Sequence, residues 1–169
     1  MNNNLSWGKH IRYFLAGCQQ YIKTNYPIFL TFFITSKCNA RCDHCFYWKR
    51  IEGYHHKQKE LDIDEIEMIT LSIPSLPKLL LSGGEPFLRD DIASICEAFY
   101  ENSRTEQLTI PTNCLLPDKI IGHTEEILKR CKNLYLQLQL SIDGTEAEHD
   151  RIRQVDGASK KLLTTYNGL

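Results

Sequence analysis

Read from the N-terminus, apolar residues first recur at Trp7, Ile11, Phe14, Leu15, Cys18, Tyr21 and Ile22, the one-face stripe of an amphipathic helix that Pro27 stops. Lys9, Arg12 and Lys23 lie off that stripe. So few basic residues favour packing within the molecule over a membrane-surface role. Residues 1–26 therefore read as a helical extension, and 27–169 as the core. Ile28 to Thr35, rich in Phe, Ile and Thr, has the composition of a strand and runs into Ser36-Lys37-Cys38. A polar, aperiodic stretch follows from Glu52 to Glu60. Asp62 with Glu65 three positions on then predicts a capped helix start, with Ile63, Ile66, Ile69 and Ile73 as the buried face. Pro74 and Pro77 end it. Leu79-Leu80-Leu81 is a short apolar strand, and Ser82-Gly83-Gly84-Glu85-Pro86 is a turn.

Strand, loop and helix then repeat. Asp90 and Asp91 favour a helix start, and Ile92, Ile95, Cys96 and Phe99 keep helical spacing to about Asn102. Leu108 to Asn113 is a third strand, with Pro111 expected near its end because proline cannot donate a ladder hydrogen bond. Pro117 opens a third helix to Cys131 that should bury Ile120, Ile121, Ile127, Leu128 and Cys131. From Leu134 to Asp143 the pattern alternates, with Leu134, Leu136, Leu138, Leu140 and Ile142 on one face and Tyr135, Gln137, Gln139, Ser141 and Asp143 on the other. Alternating strands and helices predict a parallel sheet, normally covered on both faces. A polar face on the fourth strand therefore points to an α/β fold of the partial (β/α) barrel type, whose inner face lines a ligand-filled lumen. Its site would lie at the carboxyl ends of the strands, where Cys38, Gly83, Asn113 and Ser141 converge.

At 169 residues the chain has room for one core. Twenty Lys and Arg against 21 Asp and Glu leave no positive excess to hold a phosphate backbone, so nucleic acid is not an expected partner. The longest apolar stretch, Pro27 to Ile34, is too short for a transmembrane segment. No basic region followed by an unbroken apolar run opens the chain, which makes a cytoplasmic, reducing location the expectation. Seven cysteines, an odd number with three clustered, suit metal binding better than a disulfide framework.

Those three are Cys38, Cys42 and Cys45, spaced C-x3-C-x2-C. Seven cysteines in a chain of this length would produce the spacing by chance roughly 0.01 times. Three thiolates on one short loop can hold three irons of a 4Fe-4S cluster, which usually has four cysteine ligands, and so leave one iron open. An open iron can chelate the amino and carboxylate groups of S-adenosylmethionine. The alternative is a structural zinc site completed by His44, His55 or His56. His44, between two ligands, is awkward for that role, and no second cysteine pair follows at zinc-ribbon spacing.

The cysteine spacing after the first strand, with the motifs at the later strand ends, resembles the radical S-adenosylmethionine superfamily from about Pro27 to Gly168. The resemblance implies that Gly83-Gly84-Glu85-Pro86 binds the methionyl amino group of the cofactor. Paired glycines permit close backbone approach and a carboxylate offsets an ammonium charge, although the same four residues also make an ordinary turn. Many members end the third strand Thr-Asn-Gly; here it reads Thr112-Asn113-Cys114, and a left-handed backbone at that position would strain Cys114. Cys114 is either a buried hydrophobe or a cavity-facing hydrogen donor or extra ligand. Asn113, Ser141 and Asp143 match positions that contact the cofactor, while Arg151 and Arg153 are weaker candidates, Arg153 for pairing with a carboxylate. His44 stands where many members place an aromatic near the adenine. Phe46, Tyr47 and Trp48 are expected to anchor the loop by apolar packing.

The resemblance further implies reductive cleavage of S-adenosylmethionine to a 5'-deoxyadenosyl radical. It also implies an electron donor such as flavodoxin or ferredoxin, and a peptide or small-molecule substrate. The family core has six strand–helix units and this chain shows about four, so the core reads as incomplete at its C-terminus with an open sheet edge. A catalytically incompetent cluster-binding remnant and a zinc module are the competing readings.

Overall fold

The computed structural model describes residues 26–46 and 59–169. The expected N-terminal helix falls outside the described residues, as do Tyr47, Trp48, His55 and His56.

Each element begins where local chemistry favours it. Strand β1 (Phe29–Thr35) leads into the cysteine loop. Helix α1 (Ile63–Ser72) starts at a capping box in which the Asp62 carboxylate accepts the Glu65 N–H at 3.1 Å and Glu65 accepts the Asp62 N–H at 2.9 Å. Strand β2 (Lys78–Gly83) ends at the double-glycine turn, and a single 3-10 turn (Pro86–Leu88) precedes helix α2 (Ile92–Asn102). Then come β3 (Gln107–Thr112), α3 (Pro117–Arg130), β4 (Tyr135–Leu140), α4 (Glu146–Arg153) and α5 (Ala158–Gly168). The sheet order is β1-β2-β3-β4, parallel throughout, as the alternation predicted.

Register divides the sheet into two unlike faces. Leu30, Leu79, Leu108 and Leu136 are lateral neighbours, as are Ile110 and Leu138 and, on the other pair, Phe32 and Leu81. This face packs on the helices through Ile66, Ile92, Ile95, Phe99, Ile120 and Ile127, all fully buried. Phe32 meets Phe99 edge-on with ring centroids 5.5 Å apart. Each such side chain contributes about 1.5–3 kcal/mol by leaving water, so this single layer carries the fold. The opposite face aligns Phe29, Lys78, Gln107 and Tyr135 in one row and Thr31, Leu80, Thr109 and Gln137 in the next. It is open: Phe29, Phe33 and Tyr135 are 55%, 47% and 63% exposed.

Two burial expectations need correction. Leu128 is 50% exposed, because α3 turns only the Ile120, Thr124 and Ile127 stripe inward. Ile142 is 66% exposed because β4 stops at Leu140, so the alternation beyond it no longer follows a strand.

Candidate cluster and cofactor site at the strand ends

The cysteine loop lies on the double-glycine turn. Gly84 N–H donates to the Thr35 carbonyl at 2.9 Å, and Glu85 N–H to the Lys37 carbonyl at 2.8 Å. A Cβ on Gly83 would sit 2.1 Å from the Thr35 oxygen, and one on Gly84 2.0 Å from the Lys37 oxygen and 3.1 Å from the Cys38 Cβ. Gly83 also has φ +131°, a region closed to most side chains. Both glycines are therefore required by the protein's own backbone before any ligand is considered. Behind the turn, Arg89 donates to the Ile34 and Leu61 carbonyls and grips the Asp91 carboxylate through two nitrogens. Asp91, expected to cap α2, makes no capping bond because Arg89 occupies it.

Glu85 ties the second strand end to the third. Its buried carboxylate accepts from Phe87 N–H (3.2 Å), the Thr112 hydroxyl (2.9 Å) and Asn113 N–H (2.7 Å). Burial nevertheless pushes its pKa above the usual carboxylate value, against those three donors. Asn113 turns its amide toward the cysteine loop, donating to Asn39 Oδ1 at 2.7 Å and reaching Cys38 Sγ at 3.8 Å. Cys114 has φ +63°, the left-handed conformation that strains a residue bearing Cβ. It is fully buried, and desolvation pushes its thiol up to about 11. It does not line the cavity described below, which corrects the cavity-facing alternative and leaves the small buried hydrophobe.

The fourth strand end and α4 close the rim. Ser141 N–H donates to the Thr112 carbonyl at 3.1 Å. Asp143 pairs with Arg153 through Nε, and Arg153 Nη1 donates to Cys42 Sγ at 3.4 Å. The cysteine loop is docked on the C-terminal end of α4: Asp43 N–H donates to the Ile152 carbonyl at 3.0 Å and Arg41 N–H to the Arg153 carbonyl at 3.3 Å. Gln154, in the left-handed cap position, reaches Asp43 at 2.6 Å. The loop thus satisfies carbonyls that the helix end would otherwise leave unpaired.

Cys38, Cys42, Cys45, Gly83, Gly84, Glu85, Asn113 and Ser141 line one cavity of about 260 Å³. Of the other residues singled out by sequence, Pro86 is buried in the 3-10 turn, and Asp143 stands one layer back, holding Arg153, which does line the cavity. Phe33, Pro111, His44 and Phe46 line it as well. Phe46 is 88% exposed, and Tyr47 and Trp48, with which it is expected to pack, lie outside the described residues.

The donor set fits an iron–sulfur cluster. Burial raises the Cys38 thiol pKa, with the neighbouring Glu85, Cys42 and Cys45 acting the same way, and Cys42 is raised likewise while Arg153 opposes. Mutual repulsion and desolvation of this kind are relieved when cations bind the thiolates. Among the described residues, which do not include His55 and His56, no group of three or more His, Cys, Asp or Glu side chains closes on a single metal ion.

Comparison with known proteins places the same elements in a family. Residues 32–166 match the Radical SAM superfamily. The chain is 33% identical over 144 residues to the AdoMet-dependent heme synthase of Methanosarcina barkeri, covering 83% of this chain and 38% of that protein. It is 29% identical over 140 residues to the GTP 3',8-cyclase of Clostridium perfringens, covering 80% and 40%. The chain thus spans about two fifths of the length of these curated relatives. In fold it is similar to Streptococcus suis SuiB, solved bound to its precursor peptide SuiA, with a TM-score of 0.61, 23% identity, and coverage of 96% of this chain and 35% of that one. Superfamily members are enzymes that use a 4Fe-4S cluster and S-adenosylmethionine, and this chain, matched over most of its length, belongs to the radical SAM superfamily.

Proposed function

We propose that the chain is the cluster- and cofactor-binding part of a radical SAM enzyme, with Cys38, Cys42 and Cys45 holding a 4Fe-4S cluster and the Gly83–Pro86 turn, Asn113, Ser141 and Asp143 receiving S-adenosylmethionine. The observation that carries this reading is the packing of the cysteine loop on the double-glycine turn, where a Cβ on Gly84 would lie 2.0 Å from the Lys37 carbonyl oxygen, so that no side chain fits. Such contact sets the cysteines and the strand ends at one cavity. When bound, the cluster and S-adenosylmethionine supply reductive carbon–sulfur cleavage to a 5'-deoxyadenosyl radical, which abstracts hydrogen from substrate. The chain's own part is positioning. Its three thiols grip, its glycines let the cysteine loop lie against the turn, and Asn113 orients the loop beside Cys38.

The electron comes from outside the chain, from a low-potential donor of the flavodoxin or ferredoxin class. The substrate, a peptide or a small molecule, would lie against the carboxyl end of the open sheet face, where Phe33 and Pro111 line the cavity and Gln139 lies beside Pro111. The relatives named for heme synthesis and GTP cyclisation, and the neighbour bound to a precursor peptide, span both substrate classes.

Anaerobic reconstitution with iron and sulfide, followed by reduction in the presence of S-adenosylmethionine, tests the reading. The wild type should gain iron and labile sulfide in equal amounts and release 5'-deoxyadenosine. Cys38→Ala, Cys42→Ala and Cys45→Ala should each lose both. Zinc without sulfide would reject the cluster, and a reducible cluster without 5'-deoxyadenosine would leave a binding remnant.

A further inference from the structure

Arg153 is bound on two sides inside the molecule. Its Nη1 donates to Cys42 Sγ at 3.4 Å, its Nε pairs with Asp143, and its side chain is only 10% exposed. Asp143 has two further neighbours: His149 Nδ1 accepts the Asp143 N–H at 3.3 Å, and His44 Nε2 lies 3.8 Å from its carboxylate. One helix end therefore supplies both the carbonyls on which the loop backbone docks and a cation directed at one thiol of that loop. Arginine suits this position because its planar fork can serve a carboxylate and a second acceptor at once, which a lysine ammonium does less well.

We propose that Arg153, oriented by Asp143, is a positioning residue for the Cys42 thiolate and sets the reduction potential of the cluster that this thiolate holds. The proposal rests on the cluster reading above. A charge-assisted N–H···S bond withdraws electron density from the sulfur, and a guanidinium beside the thiolate favours adding an electron to the centre. Asp143 opposes that charge while it fixes the geometry. Removing the two partners should therefore shift the potential in opposite directions, which a merely structural brace would not do.

The test uses the full chain, reconstituted anaerobically without S-adenosylmethionine, with the reduced cluster followed by electron paramagnetic resonance in a mediated redox titration. At the wild-type midpoint, Arg153→Met should lower the ratio of reduced to oxidised cluster about tenfold, equal to a midpoint about 59 mV lower for one electron. Asp143→Asn should move it upward, and Arg153→Lys should fall between wild type and Arg153→Met. Circular dichroism melts check folding; if Arg153→Met does not fold, Arg153→Lys and Asp143→Asn carry the test by their opposite signs. Unchanged potentials, shifts of the same sign, or loss of cluster loading in every variant would overturn the proposal. A wild type that takes up no iron and sulfide overturns the cluster reading itself, and this inference with it.

Discussion

Two turns at neighbouring strand ends solve one steric problem in different ways. After β2 the chain passes under the cysteine loop at Gly83 and Gly84, where a Cβ would meet backbone oxygen at 2.1 and 2.0 Å, far inside van der Waals contact. After β3 the chain also needs a special backbone, and there Cys114 holds φ +63° with a full side chain. The first turn is limited by space, with torsion added at Gly83, and the second by torsion alone. Space is absolute, since the obstacle is main chain that cannot move without dismantling the loop. Torsion has a bounded cost, about 1–2 kcal/mol for a residue with Cβ in the left-handed region. Glu85 joins the two turns, accepting one donor from its own side and two from the other.

The largest effect should come from adding a methyl group at the first turn. Gly84→Ala is expected to cost about 3 kcal/mol in urea unfolding and to reduce iron uptake, because the Lys37 carbonyl and Cys38 must shift to make room. If Gly84→Ala matches the wild type in both, the spatial account of this turn fails.

Next comes the residue joining the turns. Glu85→Gln leaves an amide N–H2 facing donors and should destabilise the fold by about 2 kcal/mol. Burial raises the folded-state pKa of Glu85 above its ordinary 4.5, so the folded chain holds this proton more tightly than the unfolded chain. Between that ordinary value and the raised one, the unfolded state binds fewer protons, and stability falls as pH rises. The stability gap between wild type and Glu85→Gln should accordingly narrow as pH rises from about 4.5. A gap that widens over that range would show that the three donors outweigh burial.

The smallest effect belongs to the second turn and inverts a usual order. Cys114→Gly should be more stable than Cys114→Ala by about 1 kcal/mol, since both lose the thiol and only glycine relieves the left-handed backbone. Thermal melts of the two variants side by side read this directly. Alanine equal to or better than glycine would mean that the turn carries no torsional strain.

Much of this architecture is legible along the chain. Asp62 and Glu65 mark a helix start that forms with both capping-box bonds, and Leu79 to Leu81 announce a strand buried on its packed side. Cys114 stands where the family resemblance implies glycine, and its backbone is left-handed, with φ +63°. Other features escape such reading because they depend on distant partners. Arg153 and Cys42 are separated by 111 positions, and no local period links them. Phe46 lines the same cavity as Cys38 and Arg153, a neighbourhood that no local pattern announces. Asp91 has the composition of a cap and the partner of an ion pair, because Arg89 reaches it first.

The order of strands and helices as far as β4, the cysteine spacing and the need for glycine after β2 follow from the sequence alone, since local propensity, periodicity and short-range spacing act between near neighbours, whereas α4 and α5 are not among the elements read from it. Only the folded molecule decides what the glycines are close to, where the Glu85 carboxylate spends its lone pairs, and that the end of α4 holds the cysteine loop. These depend on segments brought together by burial of one sheet face, and burial is blind to sequence distance.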